Sequence, residues 1–232
     1  MSTIIYIGGD KGGVGKSMVS IAMCDFLKHR LNKPVLLIET DTANPDAAKC
    51  LKDELDTVIQ ADTSKPEGWQ AVLNTIEAQS YTTITVINAG ARDNRAMEKF
   101  GHYLSAGAAT LNATLVVGWV VNAERDSLVA LKKFLEIYDG RIFVIGNRHF
   151  DESGQFELYK TSKEVRQEIE RRGGDLLIFP ALDGVLAAII KNERRSPAEQ
   201  LRNSFLYEKT VLDHWRNGAA RVFEKMLASG AP

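Results

Sequence analysis

Cysteine is scarce in this sequence, which holds Cys24 and Cys50 in 232 residues. Two cysteines are too few for a disulfide-stapled scaffold, and they lack the C-x-x-C spacing of a metal or redox site. Neither lies in a glycine-rich loop suited to bridging an iron–sulfur cluster. The sequence therefore indicates a protein of a reducing compartment.

Long apolar runs are also missing. No uninterrupted run approaches the roughly 18 residues that indicate a transmembrane helix. The opening residues Met1, Ser2 and Thr3 carry no basic charge, and the apolar stretch 4–7 is far shorter than the core of a signal peptide. We therefore expect a cytoplasmic protein without a membrane span.

Strong net charge is the third absence. The chain has 29 Lys and Arg against 30 Asp and Glu, a formal net charge of -1. This balance argues against a histone-like binder, whose affinity for nucleic acid comes from neutralising many phosphates. The charge is uneven, however, because residues 191–232 hold eight basic against five acidic residues. A local basic patch at this end of the chain stays open.

Short runs rich in β-branched residues alternate with longer helical patterns. Candidate strands cover residues 3–8, 34–39, 83–88, 113–121, 141–146 and 176–180, with a weaker one near Val58. Apolar residues spaced by three and four predict helices over 17–31, 67–79, 124–138 and 156–172. The alternation predicts one α/β domain over residues 1–232, with a mostly parallel, twisted sheet of about seven strands and helices on both faces.

A final helical segment is predicted over residues 196–228. One face carries apolar residues at helical spacing, namely Phe205, Leu212, Trp215, Ala219, Phe223 and Met226. The simplest interpretation is a helix packed on the body of the domain. A membrane-surface or partner-binding helix is the alternative, but the other face mixes acidic and basic residues, which suits anionic lipid poorly.

Residues 8–17, with the sequence G-G-D-K-G-G-V-G-K-S, directly follow a predicted strand and precede a predicted helix. Glycines let the backbone wrap a phosphate group closely, and the helix contributes a partial positive charge at its N-terminus. Lys16 adds a full positive charge, and Ser17 is placed to bind Mg²⁺ through its hydroxyl. The pattern predicts a P-loop, a site for the phosphate chain of a nucleotide. The residues expected to contact the nucleotide here are Lys11, Gly12, Gly13, Val14, Gly15, Lys16, Ser17 and Met18.

The loop departs from the usual G-x-x-x-x-G-K-[ST] pattern, because Asp10 stands where the first glycine is expected. With K-G-G-x-G-K-S in its place, the chain resembles, over about residues 3–190, the ParA/MinD superfamily of P-loop ATPases with a deviant Walker A motif. The resemblance implies ATP and Mg²⁺ as ligands, and a face-to-face homodimer in which Lys11 reaches the phosphates held by the partner. A cation supplied across an interface speeds phosphoryl transfer by about 10³–10⁵. Lys11 and Lys16 are then the catalytic cations, and hydrolysis would wait for dimerisation.

Two strand ends carry further polar residues of the family pattern. Where the family usually has two aspartates spaced by one residue, this chain has Glu39 and Asp41. By resemblance, Asp41 orients the attacking water as a catalytic residue and Glu39 lies near Mg²⁺ through a bound water. Asn88 stands where the family ends its Walker B strand with aspartate. An amide brings no charge, so a metal set of Ser17, Glu39 and Asn88 implies weaker Mg²⁺ binding and slow hydrolysis.

Two later segments resemble the parts of the family that hold the adenine base. Residues 144–148, V-I-G-N-R, resemble the strand end whose asparagine hydrogen-bonds adenine, here Asn147 followed by Arg148. Residues 178–186 resemble the segment whose backbone and proline flank the base, and there Pro180 and Asp183 are the expected contacts.

The resemblance implies a ParA-type ATP-hydrolysing dimer switch that serves segregation or stable maintenance of DNA, such as a plasmid. ATP would lock a dimer able to bind DNA or a DNA-bound partner protein, and the partner would stimulate hydrolysis. Three alternatives stay open. The first is a MinD-like membrane-surface switch, although residues 228–232 offer no basic amphipathic tail, and the second is an ATP-dependent ligase of the dethiobiotin synthetase type, although no substrate motif is recognisable. The third is a structural module, if Asp10 and Asn88 mark a degraded site.

Overall fold

Seven short apolar segments form the strands of one sheet. The computed structural model describes residues 2–9, 12–90 and 93–228, and the side chains of residues 93–95 are left out of the description. The strands are β1 Thr3–Gly8, β2 Val35–Glu39, β3 Thr57–Gln60, β4 Ile84–Asn88, β5 Thr114–Val121, β6 Ile142–Asn147 and β7 Leu176–Phe179. Six agree with a predicted strand to within a residue or two at their ends, because buried β-branched runs bounded by polar residues mark their own limits, and β3 lies at the weaker strand predicted near Val58.

The sheet is parallel throughout, with the strand order β3-β2-β4-β1-β5-β6-β7. The chain leaves β1 for β2 on one side and leaves β4 for β5 on the other. In such sheets, ligands bind in the crevice at the carboxyl ends of the strands where the connections diverge. The predicted phosphate loop, which follows β1, lies at this crevice.

Helices cover both faces of the sheet. They are α1 Lys16–Asp25, α2 Asp46–Leu51, α3 Pro66–Glu77, α4 Asp93–Thr110, α5 Arg125–Ile137, α6 Glu157–Thr161, α7 Lys163–Arg171, α8 Gly184–Ala188, α9 Pro197–Asn203 and α10 Leu206–Ala228. Single π-helical turns extend α1 over Phe26–Arg30 and α8 over Ile189–Glu193. In the part of the chain that the structure describes, every helix is too short or too polar to cross a bilayer.

Alternate residues of the central strand face two separate cores. Ile5 and Ile7 of β1 join the core that contains α1, α8 and α10, whereas Ile4 and Tyr6 join the core that contains α3, α4, α5 and α7. All four side chains are at most 1% exposed. Both faces of the sheet are therefore dry, which explains why strands such as β2 are apolar without alternation.

Several helices differ from the predictions. The 18-residue helix α4 and the short helix α2 were not predicted. The helix predicted over 156–172 is two helices, α6 and α7, which meet at Ser162. Ser162 interrupts the helix with φ -79° and ψ 84°, outside the helical region, and a break at a single residue leaves little trace in apolar spacing.

The C-terminal segment packs on the body of the domain, as predicted, but as two helices rather than one. Leu212, Trp215, Ala219, Phe223 and Met226 of α10 are at most 3% exposed. Phe205 was wrongly placed on this face, because it precedes α10 and is 85% exposed. The chain turns between α9 and α10, so the helical spacing on which that assignment rested does not extend back to residue 205.

A buried ion pair joins α1 to α10. Arg216 donates to both carboxylate oxygens of Asp25, at 2.8 and 3.2 Å, and the Asp25 side chain is 5% exposed. The helix that carries the phosphate loop is thereby tied to the C-terminal helix. A buried carboxylate that loses its cation keeps the cost of desolvation without compensation.

Arg216→Ala is expected to lower the free energy of unfolding by about 3–5 kcal/mol, because Asp25 then stays buried without a partner. Urea unfolding at neutral pH measures the change. The control is Lys132→Ala, since Lys132 pairs with Glu164 at 3.6 Å through side chains that are 45% and 90% exposed. It is expected to cost no more than about 1 kcal/mol. Equal losses in both variants would contradict the role given to the Asp25–Arg216 pair.

Candidate functional site

The loop between β1 and α1 turns sharply at its glycines. Gly13 and Gly15 have φ values of 91° and 99°, in the left-handed region that favours glycine. A Cβ atom on Gly15 would also overlap Nδ2 of Asn147, so this position needs glycine for space as well. An anion held by the loop would meet backbone N–H groups and the positive end of the α1 dipole.

Lys16 is the first residue of α1 and is 7% exposed. It lines a cleft together with Gly12, Gly13 and Ser17. A lysine ammonium in a site partly withdrawn from water attracts phosphate more strongly than one in bulk solvent. Lys11, which was expected to supply the second cation, lies outside the described residues, as does Asp10.

Buried polar side chains link the ends of β2 and β4 behind the loop. Glu39 and Asn88 end their strands and are direct partners in the sheet register. Asn88 Nδ2 donates to Glu39 Oε1 at 2.8 Å and lies 3.5 Å from Ser17 Oγ. Asn88 Oδ1 accepts a hydrogen bond from Ser20 Oγ at 2.8 Å. Both the oxygen and the NH₂ group of the Asn88 amide are therefore hydrogen-bonded, and the amide holds the Glu39 carboxylate near the hydroxyl of Ser17.

Glu39 is completely buried. Burial raises its pKa to about 7, although hydrogen bonds from Asn88 and from the backbone N–H groups of Asp41 and Ala48 act in the opposite direction. These donors, at 2.8, 3.1 and 3.4 Å, are all neutral. A cation brought close to this carboxylate would offset the cost of its burial.

The side-chain oxygen atoms at the head of α1 fit a magnesium ion that arrives with a phosphate group. Mg²⁺ prefers oxygen ligands, which Ser17 and Glu39 can offer directly or through water. Asn88, which was also predicted to contact the metal, turns its NH₂ group toward Ser17 and Glu39 and its oxygen toward Ser20, so it offers no ligand atom on this side. Among the described residues, no group of three His, Cys, Asp or Glu side chains could hold a metal ion by itself. The remaining ligands would have to be phosphate oxygens and water, which is how Mg²⁺ is usually held at phosphate sites.

A cleft of about 600 Å³ opens in front of the loop. One end is polar and carries the glycines, Lys16 and Asp41. The other end is mostly apolar and is lined by Ile21, Phe179, Leu182, Ala187, Ile190 and Trp215. The cleft thus offers a charged end for phosphates and an apolar end for a flat ring.

Most of the predicted contact residues line this cleft. Those on its wall are Gly12, Gly13, Gly15, Lys16, Ser17, Met18, Asp41, Asn147 and Pro180. Val14, Glu39 and Asn88 are at most 2% exposed and lie behind the wall. Asp41 also accepts a hydrogen bond from the backbone N–H of Asn44 at 3.0 Å, which holds its carboxylate at the mouth of the site.

Two predicted base contacts have local structural partners instead of a place on the cleft wall. Arg148 Nε donates to the carbonyl oxygen of Glu152 at 3.0 Å, within an exposed turn. Asp183 caps α8, where its Oδ1 accepts from the N–H groups of Val185 and Leu186 at 2.9 and 3.3 Å.

Asn147 lines the cleft but uses its amide on the protein. Its Nδ2 donates to the carbonyl oxygen of Val14 at 3.0 Å, and its Oδ1 accepts from the backbone N–H of His149 at 3.1 Å. The side chain is 4% exposed. In this arrangement Asn147 braces the phosphate loop from the end of β6.

Sequence reasoning missed the apolar end of the cleft. Trp215, on α10, donates from Nε1 to the carbonyl oxygen of Pro180 at 3.0 Å and forms part of the wall. Ile190 and Lys191, on the π-helical turn after α8, lie there as well. The apolar spacing of α10 marked Trp215 as a packing residue, but no pattern in the sequence places it opposite the phosphate loop.

The basic C-terminal end is largely neutralised in the fold. Four of its arginines form ion pairs, Arg194–Asp46 at 3.4 Å, Arg195–Glu193 at 2.9 Å, Arg202–Glu54 at 2.6 Å and Arg216–Asp25 at 2.8 Å. Lys225 also has an interaction partner. Of its basic residues, Lys191, Lys209 and Arg221 form no ion pair with any described residue. The charge of this segment is therefore a weaker argument for nucleic-acid binding than its composition implied.

Comparisons with known proteins give matches over more than half of the chain. A family model described as the CobQ/CobB/MinD/ParA nucleotide binding domain matches residues 5–152. Protein MobD of Acidithiobacillus ferrooxidans is 37% identical over 226 residues, which are 97% of this chain and 98% of that protein.

Two solved structures share the fold. The septum site-determining protein MinD of Pyrococcus horikoshii OT3, complexed with Mg-ADP, aligns with a TM-score of 0.58 and 16% identity over 100% of both chains. A protein described as a plasmid partition protein of Borrelia burgdorferi B31, bound to AMPPNP, aligns with a TM-score of 0.52 and 19% identity over 97% of this chain and 98% of its own.

Glu39→Gln tests the buried carboxyl in protein free of metal and nucleotide. Because the pKa of Glu39 is raised from 4.5 to about 7, the folded chain binds this proton more tightly than the unfolded chain does. The resulting stability is present below pH 4.5 and is lost as the pH rises through 7. We expect the parent to lose about 3 kcal/mol relative to Glu39→Gln between pH 4.5 and pH 8, measured by urea unfolding with a chelator present.

Glu54→Gln is the control for this experiment, because the contribution of Glu54 to stability is expected to change with pH in the opposite direction. Burial acts to raise the pKa of Glu54, but hydrogen bonds from Arg202 and Ser196 outweigh it and the pKa is lowered. Its contribution to stability is therefore present at neutral pH and is lost as the pH falls. A pH-independent difference between the parent and Glu39→Gln would show that Glu39 is not held in this environment.

Proposed function

The chain belongs to the CobQ/CobB/MinD/ParA nucleotide-binding family, and we propose that it is an ATP-dependent dimer switch of the ParA type that requires Mg²⁺. The observation that carries the proposal is the head of α1, where the glycine loop, Lys16 and Ser17 face the cleft next to the Glu39–Asn88 pair. A phosphate chain and a divalent cation complete this arrangement of charges.

In the proposed site, the loop N–H groups and Lys16 hold the phosphates, and Ser17 binds the metal with Glu39 and Asn88 behind it. Bound Mg²⁺ would neutralise charge on the phosphate oxygens. Asp41, at the mouth of the cleft, orients the attacking water. Hydrolysis is slow, because the amide of Asn88 replaces a carboxylate at the end of β4.

The apolar end of the cleft takes the base. Pro180, whose carbonyl oxygen accepts a hydrogen bond from the buried Trp215, forms a wall on which a purine ring can lie. Asn147 contributes from the other side by holding the phosphate loop in place, and Arg148 and Asp183 shape the two turns that flank the base. The base is therefore bound mainly through its faces.

The proposed dimer forms through the face that carries the loop. Lys11 would reach the phosphates of the partner and stabilise the charge that develops in the transition state. Dimerisation then controls hydrolysis, and ATP controls dimerisation. In the role proposed here, the ATP-bound pair binds DNA or a DNA-bound partner protein and serves segregation or stable maintenance of a replicon such as a plasmid.

The dimer is tested by measuring molar mass in solution with ATP and Mg²⁺, with ADP, and without nucleotide. We expect a mass twice the 25.7 kDa of the chain with ATP and Mg²⁺, and the mass of one chain in the other two conditions. Lys16→Ala is expected to abolish nucleotide binding and dimerisation. Lys11→Ala is expected to keep ADP binding and lose dimerisation and most of the hydrolysis, by about 10³-fold or more.

Lys65→Ala is the matched control, since this lysine is 68% exposed on the loop before α3. It is expected to behave like the parent. A parent that stays monomeric with ATP, or a Lys11→Ala variant that dimerises and hydrolyses ATP like the parent, would overturn the switch. A monomer that consumes ATP only with a small carboxylic acid present would instead fit a ligase.

DNA binding is tested by its salt dependence in the ATP-bound state. If the DNA contacts the C-terminal end, three unpaired cations per protomer limit the dimer to about six phosphate contacts and a slope of log K against log[salt] of about -5. Lys209→Ala is expected to make the slope shallower by about one unit for each protomer. Absence of DNA binding together with ATP-dependent flotation on anionic vesicles would favour a membrane-surface switch.

A further inference from the structure

We propose that the carboxylate of the magnesium site stands on β2 instead of β4, with Glu39 carrying the charge and Asn88 acting as the positioning residue that aims it. The family pattern places an aspartate at position 88, and this chain has an amide there. The inference rests on the proposed function, since it concerns the metal of the same site. Asn88 is then not a lost metal ligand but the residue that positions the Glu39 carboxylate.

The sheet register brings the two side chains together. Glu39 and Asn88 are direct partners in the β2–β4 pairing, so both leave the carboxyl edge of the sheet at the same height. Glutamate is one methylene longer than the aspartate that the family usually has at this position. This extra length lets Oε1 reach 2.8 Å from Nδ2 of Asn88, which itself lies 3.5 Å from Oγ of Ser17.

The hydrogen bonds of Asn88 set the direction of its amide. The Ser20 hydroxyl, completely buried, donates to Oδ1 at 2.8 Å, which leaves Nδ2 to donate to the carboxylate. The reverse orientation would bring Oδ1 against the carboxylate, and two acceptors would face each other. Ser20, Asn88 and Glu39 therefore form a directed chain that ends in the negative charge.

The hydrogen-bonded series of Ser20, Asn88 and Glu39 has room for one charged carboxylate. With Glu39 in its observed place, an aspartate at position 88 would put a second carboxylate oxygen where Nδ2 now lies, 2.8 Å from Oε1. Both residues are at most 1% exposed, so water would not screen the repulsion. An aspartate at position 88 would therefore have to share a proton with Glu39 in its observed place, so the pair would carry one negative charge, on either strand but not on both.

The test transposes the charge. Mg²⁺-dependent enhancement of ADP affinity is measured by titration with a fluorescent ADP analogue, with and without Mg²⁺, for the parent, Glu39→Gln, Asn88→Asp and the double variant Glu39→Gln/Asn88→Asp. We expect Glu39→Gln to lose about 10- to 100-fold of the enhancement. The double variant, which has the charge on β4 and the amide on β2, is expected to recover most of it.

Thermal unfolding of the same four proteins without metal or nucleotide gives a second readout. Asn88→Asp is expected to lower the melting temperature, and adding Glu39→Gln to it is expected to reverse the loss, since the double variant again pairs one amide with one carboxylate. ADP affinity without Mg²⁺ shows that each variant keeps its phosphate loop. A purely structural role for Asn88 predicts no recovery of the Mg²⁺ effect in the double variant.

The outcomes separate this inference from the proposed function. A parent without nucleotide binding, or without any Mg²⁺ effect on it, overturns the proposed function and this inference with it. A parent with a clear Mg²⁺ effect that Glu39→Gln retains, or that the double variant fails to recover, overturns the assignment of the charge to Glu39 and leaves nucleotide binding intact.

Discussion

Glu39 keeps a carboxylate out of water at the end of β2, and the cost of that burial accounts for the side chains around it. Asn88 donates to it across the sheet, the backbone N–H groups of Asp41 and Ala48 donate from the turn after β2 and from α2, and the Ser20 hydroxyl donates to the oxygen of the Asn88 amide. All these donors are neutral, so they lower the cost without cancelling the charge. In the proposed function, the head of α1 is thereby set to receive a cation and the phosphate that accompanies it.

The C-terminal helix supports the same site from the side. Arg216 ties α10 to α1 through the buried Asp25, and Trp215, the adjacent residue, closes the apolar end of the cleft against Pro180. Three of the eight basic residues that made the C-terminal end a candidate surface for nucleic acid pair with acids of the body instead. In this chain the basic end contributes to holding the fold together.

The predictions from sequence were strongest where a pattern is local. All seven strands and the loop before Lys16 follow from apolar runs, glycines and a helix start that lie next to one another in the chain. They were weakest where the partner is distant. The pairing of Asn88 with Glu39, 49 residues apart, and of Asn147 with Val14, 133 residues apart, leaves no periodic signal. Asn147 was accordingly interpreted through its motif alone.

The sequence by itself determined the class of fold and the chemistry of the loop, because strand and helix periods and the conformational freedom of glycine act over a few residues. Only the tertiary structure decided which groups share the site. It placed Trp215 on the cleft, engaged the C-terminal arginines, and set one amide against one carboxylate at the ends of β2 and β4. Such contacts depend on how the strands are ordered in the sheet, and strand order is fixed by packing across the whole domain.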